Sequence, residues 1–135
     1  MYEARAETPC HATESADKVR RAVLNIFPEA QLEGGNEEGI AGHGGTLNRF
    51  AELLRRQRIR DSAREVLEGG IQGNRLVFYL NKQAAYAGRV SFSAHAPLGD
   101  ICVTVVSDDL RGLVRELTSS TRAGGGESRA AAGTK

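Results

Sequence analysis

No apolar run in this chain approaches the roughly 20 residues a helix needs to cross a bilayer. The opening Met1-Tyr2-Glu3-Ala4-Arg5 also lacks the basic-then-apolar layout of a secretion signal, so a cytoplasmic location is expected and a membrane partner is not. Cysteine is scarce as well. Cys10 and Cys102 stand alone and far apart, which excludes the disulfide framework of a small secreted domain and fits a reducing compartment. Cys10 adjoins His11, with His43 and His95 elsewhere, but no CxxC or HxxxH spacing accompanies them. A closed zinc site wants four such ligands, so no metal and no cofactor is expected. Catalytic signatures are missing too: there is no GxxxxGK[ST] phosphate cradle, no GxSxG elbow and no HExxH. The glycine cluster "GIAGHGG" (39–45) lacks a following lysine and reads as a loop. Asp108-Asp109 pairs two carboxylates, but at a helix start that is a cap with dipole support. The expectation is a protein that is not an enzyme.

What is present points to one domain. With 135 residues, of which 40% are hydrophobic, the chain can bury a single core and is short for two. The net charge of +1 hides an asymmetry. Residues 1–48 carry four basic side chains against eight acidic ones, whereas residues 49–135 carry fourteen against nine. Arg49, Arg55, Arg56, Arg58, Arg60 and Arg64 fall within sixteen residues, offset only by Glu52 and Asp61.

Periodicity gives the order of elements. Tyr2, Ala4 and Ala6 alternate with Glu3, Arg5 and Glu7 as a strand that Pro9 stops. Thr13 can cap a helix in which Val19, Ala22, Val23, Ile26 and Phe27 recur at helical spacing up to Pro28. Leu32 and Ile40 mark two short strands around a polar loop. From Leu47 to Leu67 the pattern is helical, but the apolar stripe turns by well over about 100° near Gln57, which requires two helices with a corner between them. Gly69-Gly70 ends the second. Three strands follow, on Leu76/Phe78/Leu80, Val90/Phe92 and Ile101/Val103/Val105, and a last helix opens at Ser107 or Asp108. Alternating strands imply a two-layer α+β fold, a largely antiparallel or mixed sheet with helices packed on one face and the other face open. Residues 1–121 form the domain. The tail 122–135 has almost no large apolar side chain and is expected to be disordered.

Between the first two of those three strands stands "LNKQAAYAGRVSF" (80–92), with no glycine at the tip where a tight hairpin needs positive φ. Asn81 can instead cap a single helical turn over Lys82 to Tyr86, with Ala84 and Ala85 lying close against a neighbour and Gly88 permitting a bulge. That string, with "LLRRQRIRDSAREVLEGG" (53–70) and "AVLNIFPEA" (22–30), resembles the archaeal uncharacterised protein family 0201 over roughly residues 2–118. The resemblance implies a fold like that of the fifth large-subunit ribosomal protein and membership of a wider group predicted to bind RNA. It implies no catalytic residue.

Three places can carry such binding. Arg55, Arg56, Arg58 and Arg60 lie off the apolar stripes, where guanidinium groups can meet phosphate oxygens, although solvated helix charge is the alternative reading. The open sheet face would display Arg5, Tyr79, Arg89, Ser91, Ser93 and Thr104, with a single aromatic where stacking platforms use two or three. At the helical turn, Lys82 and Gln83 would stand at the outer edge, free for phosphate or a base edge, with Tyr86 packing at its end and Arg89 just beyond. RNA is therefore the expected partner. The other reading is a structural or assembly module that forms a homodimer through the open sheet face and binds no nucleic acid.

Overall fold

The computed structural model describes residues 2–11, 14–34, 39–93 and 100–119. In chain order the elements are β1 (Tyr2–Thr8), α1 (Ala16–Ile26), β2 (Gln31–Gly34), β3 (Ile40–His43), α2 (Asn48–Gln57), α3 (Arg60–Gly69), β4 (Ile71–Gln72), β5 (Arg75–Leu80), α4 (Lys82–Tyr86), β6 (Ile101–Ser107) and α5 (Leu110–Leu117). The six strands form one sheet in the order β2-β3-β1-β6-β5-β4, and each neighbouring pair is antiparallel. This is the expected α+β architecture in its purely antiparallel form.

The alternation along the strands decides which face is covered. Ala4 and Ala6 of β1, Leu76, Phe78 and Leu80 of β5, and Ile101, Val103 and Val105 of β6 are buried beneath the helices. Each buried leucine, valine or phenylalanine contributes roughly 1.5–3 kcal/mol, so this face holds the molecule together. Phe50 lies near the centre, its ring 5.3 Å from Phe78 and 6.2 Å from Phe92 between centroids.

The stripe reversal near Gln57 is a real corner. Arg58 ends α2 in the left-handed region at φ 58°, and α3 begins two residues later. Phe50, Leu53 and Leu54 then face the core from α2, and Ala63 and Leu67 from α3. Gly70 caps α3 with its Cα against β5: a Cβ there would stand 2.3 Å from the Val77 carbonyl oxygen.

Three expectations change. The α1 cap is Ser15, whose Oγ accepts from the Lys18 amide at 3.4 Å, while Thr13 lies outside the described residues. A two-residue strand, β4, adds to the outer edge of β5. The described segment around Val90 and Phe92 is not a full strand: among the described residues it makes a single bridge, Leu80 to Phe92. Among the described residues this segment meets the end of β5 through Asn81 N–H to Ser91 O and Ser93 N–H to Tyr79 O. The expected disordered tail, 122–135, also lies outside the described residues.

Candidate nucleic-acid interface

The arginine corner exists, but its members differ. Arg55 and Arg56 occupy the last turn of α2 and are exposed, as is Arg58 at the cap. There they also oppose the partial negative charge of the helix C-terminus. Among the described residues Arg55 and Arg58 have no acidic partner, and Arg56 approaches Glu52 only at 4.0 Å. Arg49 holds that same Glu52 at 3.0 Å. Arg60 is committed elsewhere. Its guanidinium donates to the Ser119 carbonyl at 3.2 Å, beside Arg64, which donates to Thr118 Oγ1 at 3.0 Å. These two arginines fasten the chain after α5 onto α3. Arg55 forms one wall of a cleft of about 330 Å³ between α2 and α5, with Asn48, Leu113 and Glu116.

Arg89 is brought to the same corner by a side chain that sequence patterning did not single out. Gln57 accepts from the Val90 amide at 2.7 Å and donates to the Val90 carbonyl at 2.8 Å. Its carboxamide thus replaces the strand partner that Val90 lacks. The Arg89 amide donates to Ala84 O of α4 at 2.9 Å. Its backbone is therefore held by α4 and the α2–α3 corner, and among the described residues no strand pairs with it. The signal for Gln57 was its place at the stripe reversal, where a polar residue faces inward.

Around α4 the expectation is half right. Asn81 caps the turn by accepting from the Ala84 amide at 2.8 Å, and Ala85 is fully buried against α1. Asn25 of α1 closes the other end, donating to Ala85 O and Tyr86 O at 2.9 and 3.0 Å. Lys82, however, is not at an outer edge. It is 8% exposed, and its ammonium donates to Pro9 O at 2.7 Å and to both Glu14 carboxylate oxygens at 3.1 Å. A buried ammonium needs such partners, and here they tie α4 to the turn after β1. Lys82 is spent on the fold. The Glu14 carboxyl is held below its ordinary value first by the His11 amide and then by Lys82, against its partial burial. Gln83 and Tyr86 remain accessible, Tyr86 with 42% of its surface exposed. With Ser15, Lys18, Val19 and Ala22 they line a cleft of about 350 Å³ between α1 and α4.

The open sheet face is less basic than expected. Register places Gln31, His43, Arg5, Thr104 and Val77 in one row across it. Glu33, Ala41, Glu7, Cys102 and Tyr79 form the next row. Arg5 pairs with Glu7 at 2.5 Å and His43 meets Glu33 at 2.6 Å. Tyr79 is half-buried and, among the described residues, is the one aromatic on these rows. The arginine corner belongs to the helical layer, on the opposite side of the sheet from these rows. Among the described residues no group of three or more His, Cys, Asp or Glu side chains is placed to hold a metal.

A six-stranded antiparallel sheet covered on one face by helices, with a basic corner in the helical layer, defines a small two-layer α+β protein. A family model described as RNA binding matches residues 3–107, and the chain belongs to that family. The UPF0201 protein of Methanothermobacter thermautotrophicus is 41% identical, over 84% of this chain and 89% of its own length. A crystal structure of a UPF0201 protein superposes with a TM-score of 0.82 at 37% identity, covering 88% of this chain and 94% of that one. The UPF0201 protein from Methanococcus jannaschii, at 38% identity, gives a TM-score of 0.76 over 86% and 98% of the two chains. None of these three is a ribosomal protein, so the likeness to the fifth large-subunit ribosomal protein rests on the sequence resemblance alone.

Proposed function

We propose that this protein binds RNA non-covalently, in the cytoplasm, with the backbone phosphates meeting Arg55, Arg56 and Arg58 and Arg89 set beside them. The observation that carries this reading is the Gln57–Val90 pair, which joins the Arg89 segment to a corner where, among the described residues, Arg55 and Arg58 have no acidic partner and Arg56 has only Glu52 at 4.0 Å. Guanidinium forks bind phosphate bidentately, and each neutralised phosphate makes affinity more salt-dependent. The family's description as RNA binding supports the same reading. No catalytic step is proposed.

The test is the affinity for a short single-stranded RNA measured across a salt series. Replacing Arg55, Arg56 and Arg58 by alanine should weaken binding and flatten the slope of log affinity against log salt by about 2. No salt-sensitive binding at low ionic strength would overturn the proposal.

A second reading has its own observation. Strands β5 and β6 present Val77, Tyr79, Cys102, Thr104 and Val106 on the open face without a formal charge, and Val106 is 38% exposed. Glu3, Val106 and Arg75 stand side by side in register. A two-fold pairing of two copies would bury the uncharged strip and set Glu3 of one against Arg75 of the other. In this reading the protein is an assembly module and RNA is not its partner.

A further inference from the structure

We propose that the cleft between α1 and α4 seats one nucleobase of the bound RNA, stacked on Tyr86; this rests on the RNA-binding reading above. The cleft's volume of about 350 Å³ falls at the small end of ligand pockets, which run from about 300 to 1,000 Å³. A single base with its sugar suits it better than a larger cofactor. Its floor is apolar: Val19 and Ala22 are buried members of α1. Tyr86 forms part of its wall.

Two features make that wall a platform and not a loose surface aromatic. Tyr86 ends α4, whose start is capped by Asn81 and whose last two carbonyls are both held by Asn25. The ring therefore stands on backbone fixed at both ends, so stacking on it costs little ordering entropy. Lys82 also lines the cleft, but its ammonium is held by the Pro9 carbonyl and the Glu14 carboxylate. Lys18 and Gln83 are exposed there, and among the described residues neither side chain makes a hydrogen bond or ion pair within the protein. The Gln83 carboxamide offers one donor side and one acceptor side, the complement of a base edge, and the Lys18 ammonium suits the adjoining phosphate. Glu14 also borders the cleft, but its carboxylate is occupied by Lys82 and by the His11 amide, so its charge is offset where a phosphate would pass.

The cleft is joined to the proposed phosphate track. Tyr86 and Arg89 are three positions apart, at most about 11 Å along the chain. From Arg89 the Gln57–Val90 pair leads directly to Arg58 and Arg55. One strand can thus place a base against Tyr86 and its next phosphates on the arginines.

The experiment uses the full chain and a short RNA carrying 2-aminopurine at each position in turn, with a parallel set carrying one abasic site. The expected result is strong fluorescence quenching at a single position, and about 10-fold weaker binding when that position is abasic. Tyr86→Ala should reproduce that loss, leave the salt slope unchanged, and make the abasic substitution nearly silent. Tyr86→Phe should bind like the wild type. If Tyr86→Ala binds RNA as tightly as wild type and no position is quenched, the cleft proposal is overturned while the arginine reading stands. If the wild type binds no RNA at low salt, the RNA reading fails and the cleft proposal falls with it.

Discussion

The Gln57 carboxamide pairs with both backbone groups of Val90, accepting its amide at 2.7 Å and donating to its carbonyl at 2.8 Å. Val90 is buried, and Gln57 is the partner its backbone finds. Gln57→Ala should therefore orphan one donor and one acceptor and lower unfolding stability by about 1–3 kcal/mol, read from urea denaturation. Gln57→Glu should do no better, because a carboxylate oxygen would face the Val90 carbonyl where the amide nitrogen now donates. If the alanine variant is as stable as wild type, water replaces the pair and the corner is not fixed by it.

The Lys82–Glu14 contact makes a pH prediction. The folded-state Glu14 carboxyl titrates below its ordinary value of 4.5, chiefly through the His11 amide and then through Lys82. A depressed carboxylate contributes stability that is fully present above its unfolded value and is lost as pH falls through its lower folded value. Wild type should thus have a higher Tm than Glu14→Gln near pH 6, with the two converging as pH drops below about 4.5. A constant difference across that range would assign the effect to packing.

Since Lys82 is engaged within the fold, Lys82→Ala should destabilise the protein by about 1–3 kcal/mol, as it strips a charged donor from the Pro9 carbonyl and Glu14. Measured where the variant is still folded, its salt slope for RNA should match the wild type. A slope flattened as by the arginine substitutions would mean that Lys82 reaches phosphate after all.

Arg58 holds the left-handed conformation that glycine adopts without cost. Arg58→Gly should leave the fold intact and raise stability by up to about 1 kcal/mol, while flattening the RNA salt slope by about 0.7. Opposite signs for stability and binding would mark an arginine kept for its charge. If the slope is unchanged, Arg58 contacts no phosphate.

The open sheet face is tested by mass in solution. If two copies pair there, light scattering should report a dimer, and Val106→Lys should return it to a monomer by burying an unpaired ammonium. A wild-type monomer at high concentration would remove the second reading.

The helical turn over Lys82–Tyr86 shows how far local signals carry. Its cap at Asn81, the missing hairpin glycine and the small Ala85 are all short-range features, and the structure forms that turn as the sequence predicts. The α2–α3 corner was equally legible, because the apolar stripe reverses direction within a few residues and a straight helix cannot bury both halves. Periodicity also determined which face of each strand is buried, since successive side chains point to opposite sides.

What local pattern could not supply is the identity of distant partners. Glu14 and Lys82 are 68 positions apart, and nothing near Lys82 announces that its ammonium will meet the Pro9 carbonyl. Arg60 reads like its neighbours Arg55, Arg56 and Arg58 until α5 packs alongside α3 and offers it the Ser119 carbonyl. Side-chain type and spacing determine secondary structure and burial because those depend on neighbours along the chain. Which of several identical charges stays free depends on the backbone groups that folding brings beside it, and only the tertiary structure decided that.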